Sequence, residues 1–465
     1  MGSFTTLNGE LVRRLALERG EPTWLAEYRG RAWNLFKELP LETSPLFTKY
    51  VEVSEQDLDA SQVAEAEPQV DTHLISSLTR ASGGAVALYV DGRLIESSRG
   101  LGKAEGVELQ DVVQLARVDE AKAREVYEAP SLRAGEDKAL ALGAALHTGG
   151  AYISVAPGVR LDEPIRIVHI HAQARAAFTW DLVRLGEGSS ATVSWEAYSA
   201  PEAPPGSILG HTMQVQLGAD SEANIIALQD FSPKSVVLLN RESVASRDSR
   251  VRWMVGHFGG GKTRARLWCH MRGAGASSEA FEVSFVGGER RLDTLTLMHH
   301  DSQHSRSISL SRSAVRERAR AVLKGLIRIE KHAKYSDAYL AENAMVLDRG
   351  ARVDPIPSLE IETNEVRATH AGSVAQLDEE QLFYLMTRGF RVEEARMILV
   401  EAFYEPLIGQ IPLQEARFKI RQLLKERWAE MGVQSPIEEE EEGGEARPIT
   451  VYDMFQSHYK YRPMR

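Results

Sequence analysis

The feature that most constrains this chain is a long stretch of period-two hydrophobicity with little helical interruption. From about residue 151 to 373, short strand-like runs recur at intervals on the order of ten to fifteen residues, punctuated by Gly, Asp and Pro. In the clearest run, Ala265, Leu267, Cys269 and Met271 alternate with Arg264, Arg266, Trp268, His270 and Arg272. Phe281, Val283 and Phe285 alternate with Ala280, Glu282 and Ser284. Val193, Trp195 and Ala197 behave likewise, as do Ile327 and Ile329. Strand side chains alternate between faces, so each run predicts one buried and one exposed face. A βαβ fold would need helices between these strands. The region therefore reads as an all-β sandwich, barrel or solenoid, and no fixed-length repeat chooses among them.

The flanks are helical. Leu11, Leu15 and Leu17 lie among Arg13, Arg14, Glu18 and Arg19, and Pro22 stands near a helix start. Trp24, Leu25, Tyr28, Trp33, Phe36 and Leu39 then form one stripe on a helix ending near Pro40. Residues 41–70 are acidic and weakly periodic, which predicts loop. Ala85–Val90 followed by Asp91-Gly92 predicts a strand and turn, and 136–146 a short helix. The helical period returns at Asp378, a candidate N-cap with Gln381 three residues on. Leu382, Leu385 and Met386 share a face, and Gly389 is a stop. A second helix runs from about Val392, with Ala395, Ile398, Leu399 and Phe403 inside, to Pro406 or Gly409. Pro412 opens a third, striped by Leu413, Ala416, Ile420, Leu423, Leu424 and Trp428. The acidic run Glu438–Glu442 and Gly443-Gly444 read as a linker before a tail carrying Tyr452, Phe455, Tyr459 and Tyr461. The expected organisation is a mainly helical domain over 1–145, a β core over 146–375, a helical domain over 376–432, and a linker and tail over 433–465.

Composition narrows the function. Lys and Arg total 55 against 66 Asp and Glu, a net charge of −11 that argues against a general nucleic-acid binder. With 43% hydrophobic and 26% charged residues, a large core is expected rather than disorder. No run approaches the roughly 20 apolar residues that span a bilayer. Met1–Gly20 carries Glu10 and Glu18 and lacks a signal-peptide apolar core, so a soluble, cytoplasmic protein is expected. The one cysteine, Cys269, excludes an intramolecular disulfide framework and any zinc or iron–sulfur site made from this chain's thiolates alone.

Several motifs carry possible chemistry. Gly256–Thr263 has the spacing of a phosphate-binding loop, but the strand pattern that follows cannot supply the helix N-terminus a phosphate needs. It reads as a Gly-rich turn between strands. Cys269 lies on the apolar face of its run, which predicts a buried structural thiol. His299-His300-Asp301-Ser302-Gln303-His304 is the densest imidazole cluster. On an extended strand His300 and His304 share a face, where a carboxylate could join them on a divalent metal; a polar outer face or interface is the plainer reading. His370 ends the alternation Val366, Ala368, His370, opposite Arg367 and Thr369. The C-terminal helices carry Phe383, Tyr384, Phe403, Tyr404, Phe418 and Trp428, which could pack together or offer a groove to a partner.

Ser358-Leu359-Glu360-Ile361, Val366, Thr369-His370, the run Leu377–Leu385 and Arg388-Gly389 resemble the signature of the SufB/SufD family of the SUF iron–sulfur cluster assembly machinery. Glu21-Pro22-Thr23-Trp24-Leu25, Gly149–Pro164, Leu323-Lys324-Gly325 and Asn343–Leu347 extend that resemblance over about residues 20–430. It implies a mainly β fold: a right-handed parallel β-helix between N-terminal and C-terminal helical domains. It implies a SufC-type ABC ATPase as partner of 376–430, with Phe383, Tyr384, Phe403 and Tyr404 as binding residues, so that ATP hydrolysis falls on the partner and this chain is not an enzyme. It also implies pairing with a SufB-like protein, or a homodimer of the same fold. SufB-type chains resemble scaffolds with a functional cysteine upstream of this block and a glutamate just after the histidine, which fall near Ala351 and on Ala371 here; SufD-type chains typically show Cys-Ser-His where this one has Ala368-Thr369-His370. The chain thus resembles the SufD side of the family. His370 is then the expected metal and cofactor-binding residue, for iron or a transient iron–sulfur cluster at the interface, with nothing bound permanently. A carbohydrate-active β-helix enzyme would need paired carboxylates, and no convincing pair is found.

Overall fold

The computed structural model describes residues 9–40, 63, 85–97, 106–127, 135, 137–201 and 203–429. The predicted 41–70 loop lies almost entirely outside them, and the acidic linker and the Tyr-bearing tail lie wholly outside. Two helices, α1 (Gly9–Glu18) and α2 (Thr23–Glu38), come first. Strands β1 (Val86–Val90), β2 (Arg93–Ser97) and β3 (Val107–Asp111) follow, then α3 (Val112–Val118), α4 (Glu120–Tyr127) and α5 (Lys138–Leu146). Residues 1–145, read as mainly helical, therefore also supply three strands.

From β4 (Ala151–Val155) and β5 (Ile165–His171) to β18 (Arg352–Ile361) and β19 (Arg367–Gln376), successive strands alternate between two sheets. Even-numbered strands pair in parallel in one sheet and odd-numbered ones in the other, giving a parallel β-solenoid of about eight coils. At the front, the β1–β2 hairpin joins the odd sheet through β5, and β3 pairs antiparallel with β4. Asp91 and Gly92, both at positive φ, make the hairpin turn.

The inward faces form one continuous core that includes Trp195, Trp253, Leu267, Cys269, Met298 and Leu340. The outward faces are also buried over much of the length, so the expectation of one exposed face per strand is corrected. Helix α5 lies over β6 (Ala176–Leu185), β8 (Ile208–Leu217) and β10 (Val236–Ala245), where Phe178, Trp180 and Leu238 face out into its apolar side. Arg264, on the outward face of β12 (Lys262–Met271), pairs with Asp137 at the start of α5. Arg266 is buried against Asp293 at 2.9 Å.

Three helices follow the solenoid: α6 (Glu379–Thr387), α7 (Val392–Ile408) and α8 (Gln414–Ala429). Helices α7 and α8 share one apolar cluster with the outward side of the odd sheet, including Met254, Phe281, Phe285 and Leu310. The predicted stripe of α8 holds, with Ala416, Ile420, Leu423, Leu424 and Trp428 buried. That of α7 is rotated. Its buried face is Ala395, Met397, Val400, Tyr404, Leu407 and Ile408, while Ile398, Leu399 and Phe403 are half-buried. The helix runs through Pro406 and ends at Gly409.

Candidate functional site at the open end of the solenoid

Strands β18 and β19 are the last members of their sheets, so among the described residues neither has a neighbour on its outer edge. The two edges differ. In a parallel ladder alternate residues turn their N–H and C=O to opposite sides. Arg352 and Glu362 donate inward to Ala319 and Ile329, which puts Pro355 and Pro357 among the positions that face the free edge of β18. Proline has no N–H, so this edge lacks two donors. On β19, Arg367 donates inward to Ser336. Ala368, His370, Gly372, Val374 and Gln376 therefore turn intact backbone groups to the open side.

His370 is exposed on this last strand, in register with Leu340 of β17 (Asp337–Val346). Leu340 belongs to the solenoid core, and Val366 and Ala368 pack against that core. The alternation thus places His370 on the inward-facing set, at the last rung, with no further coil above it. Glu342 lies in register with Gly372 on the same face, one coil below. Burial pushes its carboxyl up to about 9, although the Ile356 N–H donates to it. Its Oε2 has no hydrogen-bond partner. Gly325, opposite, leaves it room, since a Cβ there would come within 2.9 Å of the Glu342 Oε1. Sequence reasoning missed Glu342; the available signal was a lone carboxylate on an otherwise apolar face.

The end offers an imidazole but no thiolate. Ala351 and Ala371 stand where resemblance places functional groups, and Cys269 is buried in β12, three coils below. Burial pushes the Cys269 thiol up to about 11, as expected for a structural cysteine.

Helix α6 follows β19 directly. Asp378 caps it by accepting from the Glu380 and Gln381 N–H groups, and Gly389 at φ 99° ends it. None of its residues is buried, and Phe383 and Tyr384 are 68% and 55% exposed. Phe403 is half-buried beneath Arg312, whose guanidinium lies 5.2 Å from its ring centre. Tyr404 is fully buried, which corrects its reading as a surface-docking residue. Its hydroxyl donates to the Ser284 carbonyl at 2.5 Å and accepts from the Ala314 N–H at 2.8 Å, fastening α7 to the solenoid.

The other motifs resolve simply. The Gly256–Thr263 segment runs from the end of β11 (Arg250–His257) through a Gly-rich turn at 258–261 into β12, a turn between strands as its pattern predicts. The Gly260 and Gly261 N–H groups donate to the Phe231 and Ser235 carbonyls of the preceding coil, so they are not free to cradle a phosphate. A Cβ at Gly259 would lie 2.2 Å from the Phe231 nitrogen, which explains that glycine as a close approach of backbones. The imidazoles of 299–304 diverge. His300 points inward between Ser305 and Ser307, and burial pulls it down to about 3. His304 sits in the following turn at φ 58°, so the expected shared face of His300 and His304 does not form.

Residues 168–403, just over half of the chain, match the family described as SUF system FeS cluster assembly, SufBD core domain. The chain is 23% identical over 435 residues to the iron–sulfur cluster assembly protein SufD of Bacillus subtilis, covering 92% of this chain and 99% of that protein. It is 24% identical to iron–sulfur cluster assembly SufBD family proteins of Staphylococcus haemolyticus and Staphylococcus epidermidis, covering 88% of this chain and 90% of each of those. No helix among the described residues is long and apolar enough to cross a membrane. Solenoid, open terminal rung and sequence match agree: this chain belongs to the SUF-system SufBD family of iron–sulfur cluster assembly proteins.

Proposed function

We propose that this chain is a non-enzymatic, SufD-like subunit of a cytoplasmic scaffold on which iron–sulfur clusters are assembled. The observation that carries the reading is the open last rung, where an unpaired strand edge, an exposed imidazole and an exposed aromatic helix follow one another within residues 367–387. In this reading the β19 edge pairs with a SufB-like protein. The β18 edge takes a smaller share of backbone pairing, because two of its outward donors are lost to proline. His370 offers a ring nitrogen to iron entering the interface or to a nascent cluster, and the partner supplies the thiolates. Helix α6, with Phe383 and Tyr384, docks a SufC-type ATPase. Closure of two ATPase subunits would then favour a second arrangement of the SufB–SufD pair, provided the two arrangements differ in ATPase contact energy.

The test is reconstitution with SufB-like and SufC-like partners from the same source. His370→Ala should leave the complex intact by native mass while lowering cluster yield at least severalfold. A normal yield from that variant would overturn the role given to His370. A second reading, a homodimer, is favoured by the intact donors along β19, which could pair antiparallel with a second copy. It predicts a dimer that retains no ATPase.

A further inference from the structure

Away from the open end, the outward face of the even sheet carries two carboxylate–histidine pairs that meet. His270 of β12 and His299 of β14 (Arg291–His300) are in register on adjacent strands. Their Nδ1 atoms lie 3.0 Å apart. The His299 Nε2 is 2.9 Å from Glu330 Oε1, which also accepts from Arg328. The His270 Nε2 is 3.2 Å from Glu242 Oε1. Glu242 is almost wholly buried, and neither of its oxygens has a hydrogen bond. The two imidazole side chains are 17% and 19% exposed, so the pair is reachable from outside.

The geometry aims two ring nitrogens at one point: the Nδ1 atoms face each other while each Nε2 faces a carboxylate. With the Nε2–H of each ring turned to its carboxylate, the two Nδ1 atoms present facing lone pairs that a cation between them would bridge. A carboxylate behind each ligating histidine is the usual support of metal-bound imidazole. Two nitrogens on a tetrahedral ion with bonds of about 2.0–2.1 Å sit about 3.3 Å apart, so the present separation needs to open by only a few tenths of an ångström.

We propose that His270 and His299 form a site for a divalent first-row transition metal ion, with Glu242 and Glu330 as positioning residues. Imidazole donors suit zinc, cobalt, iron(II), nickel and copper. Among the described residues no group of three or more His, Cys, Asp or Glu side chains converges as metal ligands, so water completes the coordination and the ion exchanges readily. The site is separate from His370, which lies on the other sheet at the open end.

The test titrates the full-length chain with Co2+, read by visible absorption and by equilibrium dialysis, with Zn2+ as competitor. One Co2+ per chain is expected, displaced by Zn2+. His270→Asn and His299→Asn should each abolish it, and Glu330→Gln should weaken it roughly 10–100-fold. His370→Ala should leave it unchanged, which separates this site from the proposed interface role. Circular dichroism and native mass establish that each variant folds; if the histidine variants do not, Glu330→Gln, at a partly buried side chain, carries the test alone. Unchanged stoichiometry in the histidine variants, unchanged affinity in Glu330→Gln, loss in His370→Ala, or no Co2+ uptake by the folded chain would overturn the proposal.

Discussion

The two ends of the solenoid are built on opposite plans. The first coils are sealed. Glu21 and Arg29 form an ion pair at 2.7 Å with both side chains fully buried, and Arg29 also donates to the Ala145 carbonyl at 3.1 Å. Beside them the Tyr127 hydroxyl meets His147 Nε2 at 2.9 Å, and burial holds that imidazole neutral, well below its ordinary value. The β1–β2 hairpin and antiparallel β3 cover the first parallel strands, so the outermost strands at this end are β2 and β3, only 5 residues each. At the far end, β19 is mostly exposed and no strand covers it among the described residues. A 10-residue strand edge with no neighbour among the described residues is a template for pairing, which is the ground of the partner proposed above. Buried charge stands at one end; an exposed strand and an exposed imidazole stand at the other.

The contrast is broken most severely at the sealed end. Arg29→Ala strands the Glu21 carboxylate in a dry interior and should cost about 3–5 kcal/mol, seen as a lower denaturant midpoint. A loss below 1 kcal/mol would mean that water reaches the pair. Tyr404→Phe leaves the Ala314 N–H and Ser284 carbonyl short of a partner and should cost about 1–3 kcal/mol, by the same assay. That result would place Tyr404 in the scaffold rather than at a docking face.

Glu342 tests the interior just below the open rung. Its carboxyl is raised in the folded state to about 9, so between the ordinary carboxylate range and that value the folded chain holds a proton that the unfolded chain has released. Stability from this group therefore falls as pH rises from about 4.5 to about 9 and is level beyond. Glu342→Gln should flatten that fall, gaining on the order of 1–3 kcal/mol at the alkaline side, measured as thermal midpoint against pH. Parallel curves for the two proteins would show that the carboxyl is hydrated. Smallest of all should be Phe383→Ala with Tyr384→Ala on α6, within about 0.5 kcal/mol in stability, but with ATPase retention lost in a pull-down. Retention at full strength would move the docking surface elsewhere.

Much of this was legible in advance, for reasons that differ by element. The run around Cys269 announced a strand because alternation is a local property of the chain. Asp378 and Gly389 announced the limits of α6 because caps act over three residues. The solenoid itself was not legible from pattern. Its coils differ in length: Val236 sits beside Lys262, 26 residues on, whereas Arg320 sits beside Arg352, 32 on. In seven of the eight turns from the even to the odd sheet a residue stands at positive φ: Gly158, Gly188, Asp220, Asp248, Gly275, His304 and Tyr335. A conformation shared by Gly, Asp, His and Tyr leaves no repeated letter to find. Resemblance to the family supplied the solenoid that periodicity left open.

By itself the sequence determined the strands, the caps, the buried thiol and the place of His370 at the end of an alternating run. All of these depend on neighbours a few residues away. Only the tertiary structure decided which distant partners meet: Tyr404 with two strands of the solenoid, Glu342 under Gly372, and His270 with His299 instead of His300 with His304. Those pairings are set by how the coils stack and where α7 lies on them, and a side chain carries no local mark of the residue that will lie one coil away.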